Sequence, residues 1–152
     1  MLRLARRSWP LLLTGASMFA AGLVAGQIHG AAADPAPMTA MIIHVPALAS
    51  ADLPPAAPGA ALQTKIVAAA EGATVQVQVG TVSKHTHTAA NEVQYVVQGQ
   101  GKFWLGDSYR DVGPGDLIII PKGTPHGGTT TSFKAVAIKT PPQDRADIHP
   151  IP

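Results

Sequence analysis

The sequence predicts an all-β sandwich or barrel, because short strand-like runs alternate with glycine-marked turns from Leu62 onward. The run TVQVQV at 74–79 alternates strictly, as expected for a strand with one face in a core, and we expect its valines to face inward. The sequence has no stretch with the 3.6-residue periodicity of an amphipathic helix. A chain of 152 residues has room for one domain.

The first 33 residues have the composition of an export signal. The basic stretch MLRLARR precedes a weakly apolar run at 11–25, and the alanines at 31–33 offer a cleavage site. We therefore expect residues 1–33 to be a cleaved signal peptide and the protein to be exported, periplasmic or secreted. Arg6 and Arg7 raise a twin-arginine route, and an uncleaved leader would be the only membrane attachment we expect.

Residues 34–61 are rich in alanine and proline, which is typical of an extended linker. The island MIIHV at 41–45 has strand composition, and we expect it to add to a sheet edge of its own barrel or of a neighbour. Residues 62–140 are predicted to form the barrel, and residues 141–152 a C-terminal tail.

Eight strands are predicted within the barrel. They are expected at 62–69, 74–82, 92–98, 101–105, 108–111, 116–120, 126–131 and 133–139. We expect GQG at 99–101 to close a hairpin between the third and fourth of these strands. The run LIII at 117–120 is apolar on both faces, so we expect both to be covered, one of them by a partner subunit.

Charge and cysteine content exclude several classes of function. The formal charge of +2 misleads, because three arginines lie in the first seven residues. Without residues 1–33, eight Lys or Arg stand against nine Asp or Glu, a net charge of −1. We therefore expect no nucleic-acid partner and no binding to anionic lipid. The chain has no cysteine, so disulfides and thiolate ligands are excluded.

Two stretches carry residues that commonly bind metal ions. In HTHTAANE, His85 and His87 share one face of a strand, and Glu92 can add an oxygen ligand from the next strand. In GDLIIIPKGTPH, a turn after an apolar strand delivers His126. Three neutral imidazoles and one carboxylate suit one divalent transition ion (Mn, Fe, Co, Ni, Cu or Zn) and leave open positions on a six-coordinate ion.

These stretches resemble the two signature motifs of the cupin superfamily. The first motif is matched by His85, His87, Glu92 and Gly99, and the second by Gly115, Pro121, Gly123 and His126. There are two departures: only four residues separate Gly80 from His85, and Thr130 replaces the final asparagine. Neither departure falls on a ligand. The resemblance covers residues 62–140 and implies a double-stranded β-helix (jelly-roll) barrel with a metal site.

Strand alternation predicts the rest of the pocket wall. If Glu92 points inward, Gln94 shares its face, and if His126 points inward, so do Gly128 and Thr130. The predicted wall consists of Val75, Val77, Val79, Gln94, Val96, Gly128 and Thr130. We expect Gln94 and Thr130 to orient a substrate and Gly128 to leave space beside the ion, with a bulge at that glycine as an equal alternative. No lysine, arginine or second acid is expected on this face.

Three classes of function compete: a metal-dependent oxygenase, a metal-dependent isomerase or lyase, and a non-catalytic binding or sensing protein. Sugar-phosphate isomerases need cations for the phosphate, and lyases need a base other than a metal ligand, whereas the predicted wall offers neither. An oxygenase needs the fewest catalytic groups on the pocket wall, because the metal binds both substrate and oxygen. Glu92 would then loosen from the ion to take a proton, as the resemblance to quercetin-dioxygenase-like cupins allows. We expect a metal-dependent oxygenase or dioxygenase for a small, largely neutral substrate. The alternative is a non-catalytic periplasmic protein that binds or senses a metal or small ligand, followed by an isomerase or lyase.

A homodimer is also expected. Small single-domain cupins tend to pair through sheet edges, and 41–45 is a candidate strand to exchange. Few aromatic residues and alanine-rich strands predict a modest core, so dimer contacts and bound metal should contribute to stability.

Overall fold

The computed structural model describes residues 38–70 and 72–152, so the predicted signal peptide lies outside the described residues. Within them, ten β-strands form two five-stranded antiparallel sheets. No helix in this part of the chain is long and apolar enough to cross a membrane.

The strands are short and follow one another with few residues between them. They are β1 Leu62–Ala70, β2 Ala73–Gly80, β3 His85–Thr86, β4 Asn91–Gln98, β5 Gly101–Leu105, β6 Ser108–Val112, β7 Leu117–Ile120, β8 His126–Gly127, β9 Phe133–Thr140 and β10 His149–Pro150. Short 3₁₀ helices lie at Val45–Ala47, Ser50–Asp52 and Arg145–Asp147. Seven of the eight predicted strands are found within two residues of their predicted bounds.

The two sheets enclose a small apolar core. The strand order is β1-β2-β9-β4-β7 in the first sheet and β10-β3-β8-β5-β6 in the second. Phe103 of the second sheet shares one buried cluster with four residues of the first, which are Val96, Ile118, Ile120 and Phe133. This arrangement confirms the predicted double-stranded β-helix barrel.

The alternation in β2 is present, but its direction is opposite to the prediction. Gln76 and Gln78 are buried at 8 % and 6 % exposure and pair with the inward-facing alanines of β9. The outer face of this sheet is also covered, because the segment 46–52 accepts hydrogen bonds there from Gln63, Lys65 and Lys134. Val77 on that side is therefore buried without facing the interior, Val75 and Val79 are half-buried, and the predicted wall of these three valines is wrong.

The predicted hairpin at 99–101 is also wrong. β4 pairs with β7 and β9, whereas β5 pairs with β6 and β8, so the turn links the two sheets. Gly99 has a φ of +94°, and a Cβ there would lie 2.5 Å from the carbonyl oxygen of Ser132. Glycine is required at this position because the chain changes sheets in a tight space.

Residues 41–44 form no strand in the described sheets, and Ile42 is fully exposed. The predicted edge strand is therefore not found in the chain's own barrel, because Val45 begins a 3₁₀ helix with proline at its second position. Exchange of this segment with a second copy stays a prediction.

Candidate metal centre

Four predicted ligands meet at one end of the barrel interior. His85 lies on β3, His87 just beyond it, Glu92 at the start of β4 and His126 on β8. One ligand atom from each residue lies within 4.8 Å of all the others. Glu92 Oε2 is 3.1 Å from the Nε2 atom of His87 and 3.4 Å from that of His126, while the Nε2 atoms of His85 and His87 are 3.2 Å apart.

Backbone carbonyls orient the three rings. Nδ1 of His85 lies 2.8 Å from the carbonyl oxygen of Ser83, and Nδ1 of His126 lies 2.9 Å from that of Thr124. A carbonyl oxygen only accepts, so both rings carry their proton on Nδ1 and direct the unprotonated Nε2 toward the cluster. Nε2 of His126 is buried and has no hydrogen-bond partner in the described protein.

The ring of His87 has two neighbours at Nδ1. The carbonyl oxygen of Asp147 lies 2.9 Å away and the amide nitrogen of Gln143 2.6 Å away. When the proton is on Nδ1, the Asp147 carbonyl accepts it and Nε2 is free to bind an ion. The lone pairs of the imidazoles and the carboxylate converge around Nε2 of His126, which is buried and has no hydrogen-bond partner in the described protein. A cation fits such a group of lone pairs, so these residues can hold a metal ion.

The ionised state of Glu92 also suits metal binding. Burial favours a higher pKa, but any proton that His126 or His87 carries on Nε2 forms a hydrogen bond to the carboxylate. Together with the Lys139 ammonium and the Gln94 amide, these contacts hold the pKa of Glu92 well below its usual range. Burial and the neighbouring rings lower the pKa of His85 to about 4, so that ring is neutral at pH 7. The site therefore combines neutral imidazole and ionised carboxylate, the states in which both bind metal ions.

Gln94 faces the interior, as predicted. Its side chain is 5 % exposed, and Nε2 donates a hydrogen bond to Glu92 Oε1 at 2.8 Å. The amide thus holds the carboxylate whose other oxygen faces the histidines.

Gly128 and Thr130 do not face the cluster, so their predicted orientation is wrong. Strand β8 ends at Gly127, and both glycines have positive φ, +97° and +53°, which ends the alternation used for the prediction. A Cβ at Gly128 would lie 2.8 Å from Cγ of Lys84. Thr130 is exposed, and its hydroxyl accepts a hydrogen bond from the backbone N–H of Lys102.

Lys139 enters the pocket, against the prediction that no lysine does. It is 5 % exposed, pairs in register with Glu92 and places Nζ 3.5 Å from Oε2 of that residue. Its ammonium also donates to the side-chain oxygen of Gln143. Burial lowers the pKa of Lys139, while Glu92 opposes that effect. The alternation of β9 could have predicted this orientation, because Lys139 lies six residues after the buried Phe133 and therefore faces the same side of the strand.

The cluster borders a cavity of about 380 Å³. His85 and Glu92 line it on the metal side, and it is otherwise bounded by residues of β1, β2, β4, β9, the segment 81–84 and the C-terminal segment. Its polar lining on the strands consists of Thr64, Gln76, Gln78, Gln94 and Lys139. The flanking segments add Thr81, Ser83, Lys84, Gln143, Asp144 and Arg145, so an arginine and a second acid also border the cavity, against the prediction. A small polar molecule can therefore reach an ion held by the four ligands.

Residues 73–138 match the family model described as the cupin domain. Residues 73–138 therefore form a cupin domain. No curated protein matches this chain significantly.

Solved structures with the same fold include several bacterial proteins. Pac13 of Streptomyces, described as a nucleoside dehydratase, is 22% identical over 60% of this chain and 78% of its own chain, with a TM-score of 0.54. KdgF from Halomonas sp. is 25% identical over 62% of this chain and 90% of its own chain, with a TM-score of 0.55. An uncharacterized Klebsiella pneumoniae protein with a double-stranded β-helix domain is 18% identical, covering 68% and 91%, with a TM-score of 0.55. These similarities concern the fold.

Proposed function

We propose that this cupin binds one divalent transition ion and uses it to catalyse a reaction of a small polar molecule. The proposed ligands are His85, His87, Glu92 and His126. The observation that carries the proposal is the convergence of three imidazole nitrogens and an ionised carboxylate, one nitrogen being buried without a partner, beside an open cavity. When bound, the ion would supply Lewis-acid or redox chemistry at its open positions.

The protein's own side chains would hold the substrate and accept its proton. Gln94 keeps Glu92 oriented, and the amides of Gln76 and Gln78 offer donors and acceptors along the cavity wall. Glu92 would take a proton by loosening from the ion, and Lys139 is close enough to exchange that proton with it. Enclosure in the barrel limits access of water to these steps.

The buried positive charge of Lys139 affects which charge the substrate can carry. The prediction of a largely neutral substrate assumed that no cation faces the pocket, and Lys139 removes that assumption. A divalent ion, Lys139 and Glu92 together leave a net positive site in a medium of low dielectric constant. We therefore propose a substrate with a negatively charged oxygen, such as a carboxylate or an enolate.

The reaction we propose first is oxygenation, because an ion held by the four ligands would supply redox chemistry beside a cavity that admits a small molecule. A lyase or isomerase is the second candidate, and Lys139 favours it by supplying the proton-transfer group that the predicted wall lacked.

Metal analysis and oxygen uptake test these proposals together. Protein purified without a histidine tag should contain close to one equivalent of a transition ion, lost in His87→Ala and retained in His44→Ala, whose ring is exposed. Oxygen consumption that depends on an enol, catechol or thiol substrate supports the oxygenase. Turnover of an anionic substrate without oxygen supports the lyase or isomerase. Tightly held zinc with neither activity would leave a non-catalytic binder.

Export is proposed from residues 1–33 alone. The chain expressed with its own leader in a bacterial host should be recovered from the periplasm with Asp34 as its first residue. Retention in the cytoplasm at full length would contradict export.

A further inference from the structure

Asp147 lies in the C-terminal segment and binds the loop that joins two of the proposed ligands. Its side chain is 8 % exposed. Its Oδ1 accepts hydrogen bonds from Thr88 N at 2.7 Å, Thr88 Oγ1 at 2.9 Å and Ala89 N at 3.0 Å, and its Oδ2 accepts one from Ala90 N at 3.1 Å. Three consecutive N–H groups therefore converge on one carboxylate between His87 and Glu92.

These hydrogen bonds keep the carboxylate charged. Burial favours a higher pKa, but the Thr88 hydroxyl and the three backbone N–H groups hold the pKa of Asp147 well below its usual range. Hydrogen bonds to an ionised acceptor are stronger than those between neutral groups. The loop would leave these donors unpaired without Asp147, since its course around the turn gives them no strand partner.

The backbone of Asp147 acts on the ligand ring itself. Its carbonyl oxygen lies 2.9 Å from Nδ1 of His87 and favours the tautomer whose Nε2 can bind an ion. The Gln143 amide nitrogen lies 2.6 Å from Nδ1 and 3.4 Å from Nε2 of the same ring, so it does not lie along the Nδ1 lone pair. The Asp147 carbonyl is the acceptor that faces the Nδ1 proton. In the other tautomer Nε2 would carry the proton and face Glu92 Oε2 at 3.1 Å.

The rest of the segment fixes Asp147 in place. Strand β10 pairs with β3, bringing Pro150 opposite His85 and His149 opposite Thr86. The backbone N–H of Ile151 donates to the carbonyl oxygen of Lys84 at 3.1 Å. The segment predicted to be a tail thus binds the ligand strand directly.

We propose that Asp147 is a positioning residue of the metal centre. Its carboxylate holds the loop 88–90 so that His87 and Glu92 face each other, and its carbonyl keeps the His87 proton on Nδ1. This inference rests on the metal-binding part of the proposed function. It makes residues 141–152 a part of the site.

The test compares Asp147→Ala with Asp144→Ala in the full mature chain. Asp144 caps the same 3₁₀ helix by accepting from Ala146 N at 3.0 Å, but its side chain makes no hydrogen bond to the ligand loop. Co²⁺ is titrated into chelator-stripped protein well below the unfolding temperature. Asp147→Ala should weaken Co²⁺ binding by about tenfold to a hundredfold and change the visible spectrum of the bound ion, whereas Asp144→Ala should leave both unchanged.

A purely structural role predicts a different result. A lower Tm for Asp147→Ala with native Co²⁺ affinity and spectrum would overturn the proposal. If Asp147→Ala does not fold, Asp147→Asn replaces it, because asparagine keeps one acceptor oxygen and loses the other. The expected loss of affinity is then smaller, and native affinity again overturns the proposal.

A second measurement does not depend on metal. Imidazole ¹⁵N NMR of the metal-free protein should place the His87 proton on Nδ1 in the native chain. Asp147→Ala keeps the backbone carbonyl but loses the carboxylate that fixes it beside the ligand loop, so it should increase the share of the ring that is protonated on Nε2. An unchanged tautomer overturns the proposal. If the native chain binds no ion, the proposed function fails, and this NMR result alone decides the role of Asp147.

Discussion

Lys139 and Glu92 place opposite charges 3.5 Å apart where both side chains are almost inaccessible to water. Such a pair gains little over an apolar pair, but removing one partner leaves a buried charge uncompensated. A metal ion bound to Glu92 would supply a second counter-charge. The contribution of Lys139 to stability should therefore depend on whether the site is loaded.

Lys139→Met should lower the free energy of unfolding by about 3–5 kcal/mol in chelator, because the Glu92 carboxylate loses its cation. The loss should shrink when a divalent ion is added, since the ion takes over that charge. Urea unfolding with and without metal measures both values. Lys134→Met is the control, because Lys134 lies on the outward face of the same strand and donates to Pro46. An equal loss with and without metal would contradict the argument.

The ring of His85 gives the metal-free protein a pH dependence. Its pKa falls from 6.5 to about 4 on folding, chiefly through burial. Between these values the unfolded chain binds a proton that the folded chain does not, so stability should fall as the pH drops from 6.5 toward 4. Urea unfolding in chelator should show the slope between pH 6.5 and about 5.5, where Glu92 and Asp147 are ionised in both states, and His85→Gln should flatten it there. His44→Gln, a change at an exposed ring, should not; a slope that survives His85→Gln would refute the assignment.

At the scale of single elements, local patterns predicted the strands but not always their orientation. Alternation placed β2 correctly, yet it could not tell which face is inward, because the segment 46–52 covers the outer face. The ligands could be predicted since each lies in a short motif. Asp147 could not, because its contacts join residues 57 to 59 positions apart in sequence. Strands of two residues, such as β8 and β10, have no periodicity to recognise.

Gly127 is the last residue of β8, and its backbone conformation affects the position of the neighbouring ligand His126. Its φ is +97°, and a Cβ would lie 2.5 Å from the carbonyl oxygen of Ser83. Gly127→Ala should cost about 3 kcal/mol or more of unfolding free energy, combining backbone strain with the overlap. Gly106→Ala separates the two, because Gly106 has a φ of +70° and open space around its Cβ position. That control should cost about 1–2 kcal/mol in the same urea titration. Equal costs for the two variants would show that the overlap is relieved.

At the scale of the whole molecule, the first sheet has an apolar outer patch beside its free edge. Strand β7 is that edge, and Leu117 and Ile119 on it are 61 % and 55 % exposed. They pair across the sheet with Tyr95 and Val93, and Tyr95 is 46 % exposed. A free strand edge with an apolar face is a surface on which a second copy of the chain can pair.

We therefore predict a homodimer through this patch, and light scattering of the mature chain should give about twice the mass of one chain. Ile119→Lys should produce a monomer, because a charge would be buried at the centre of the pairing. Met41→Lys is the matched control, since Met41 is 59 % exposed but lies outside the patch. Deleting residues 34–50 tests the exchanged strand separately: a dimer that survives the deletion would rule out exchange and leave the patch as the interface. A native chain with the mass of one copy would contradict both.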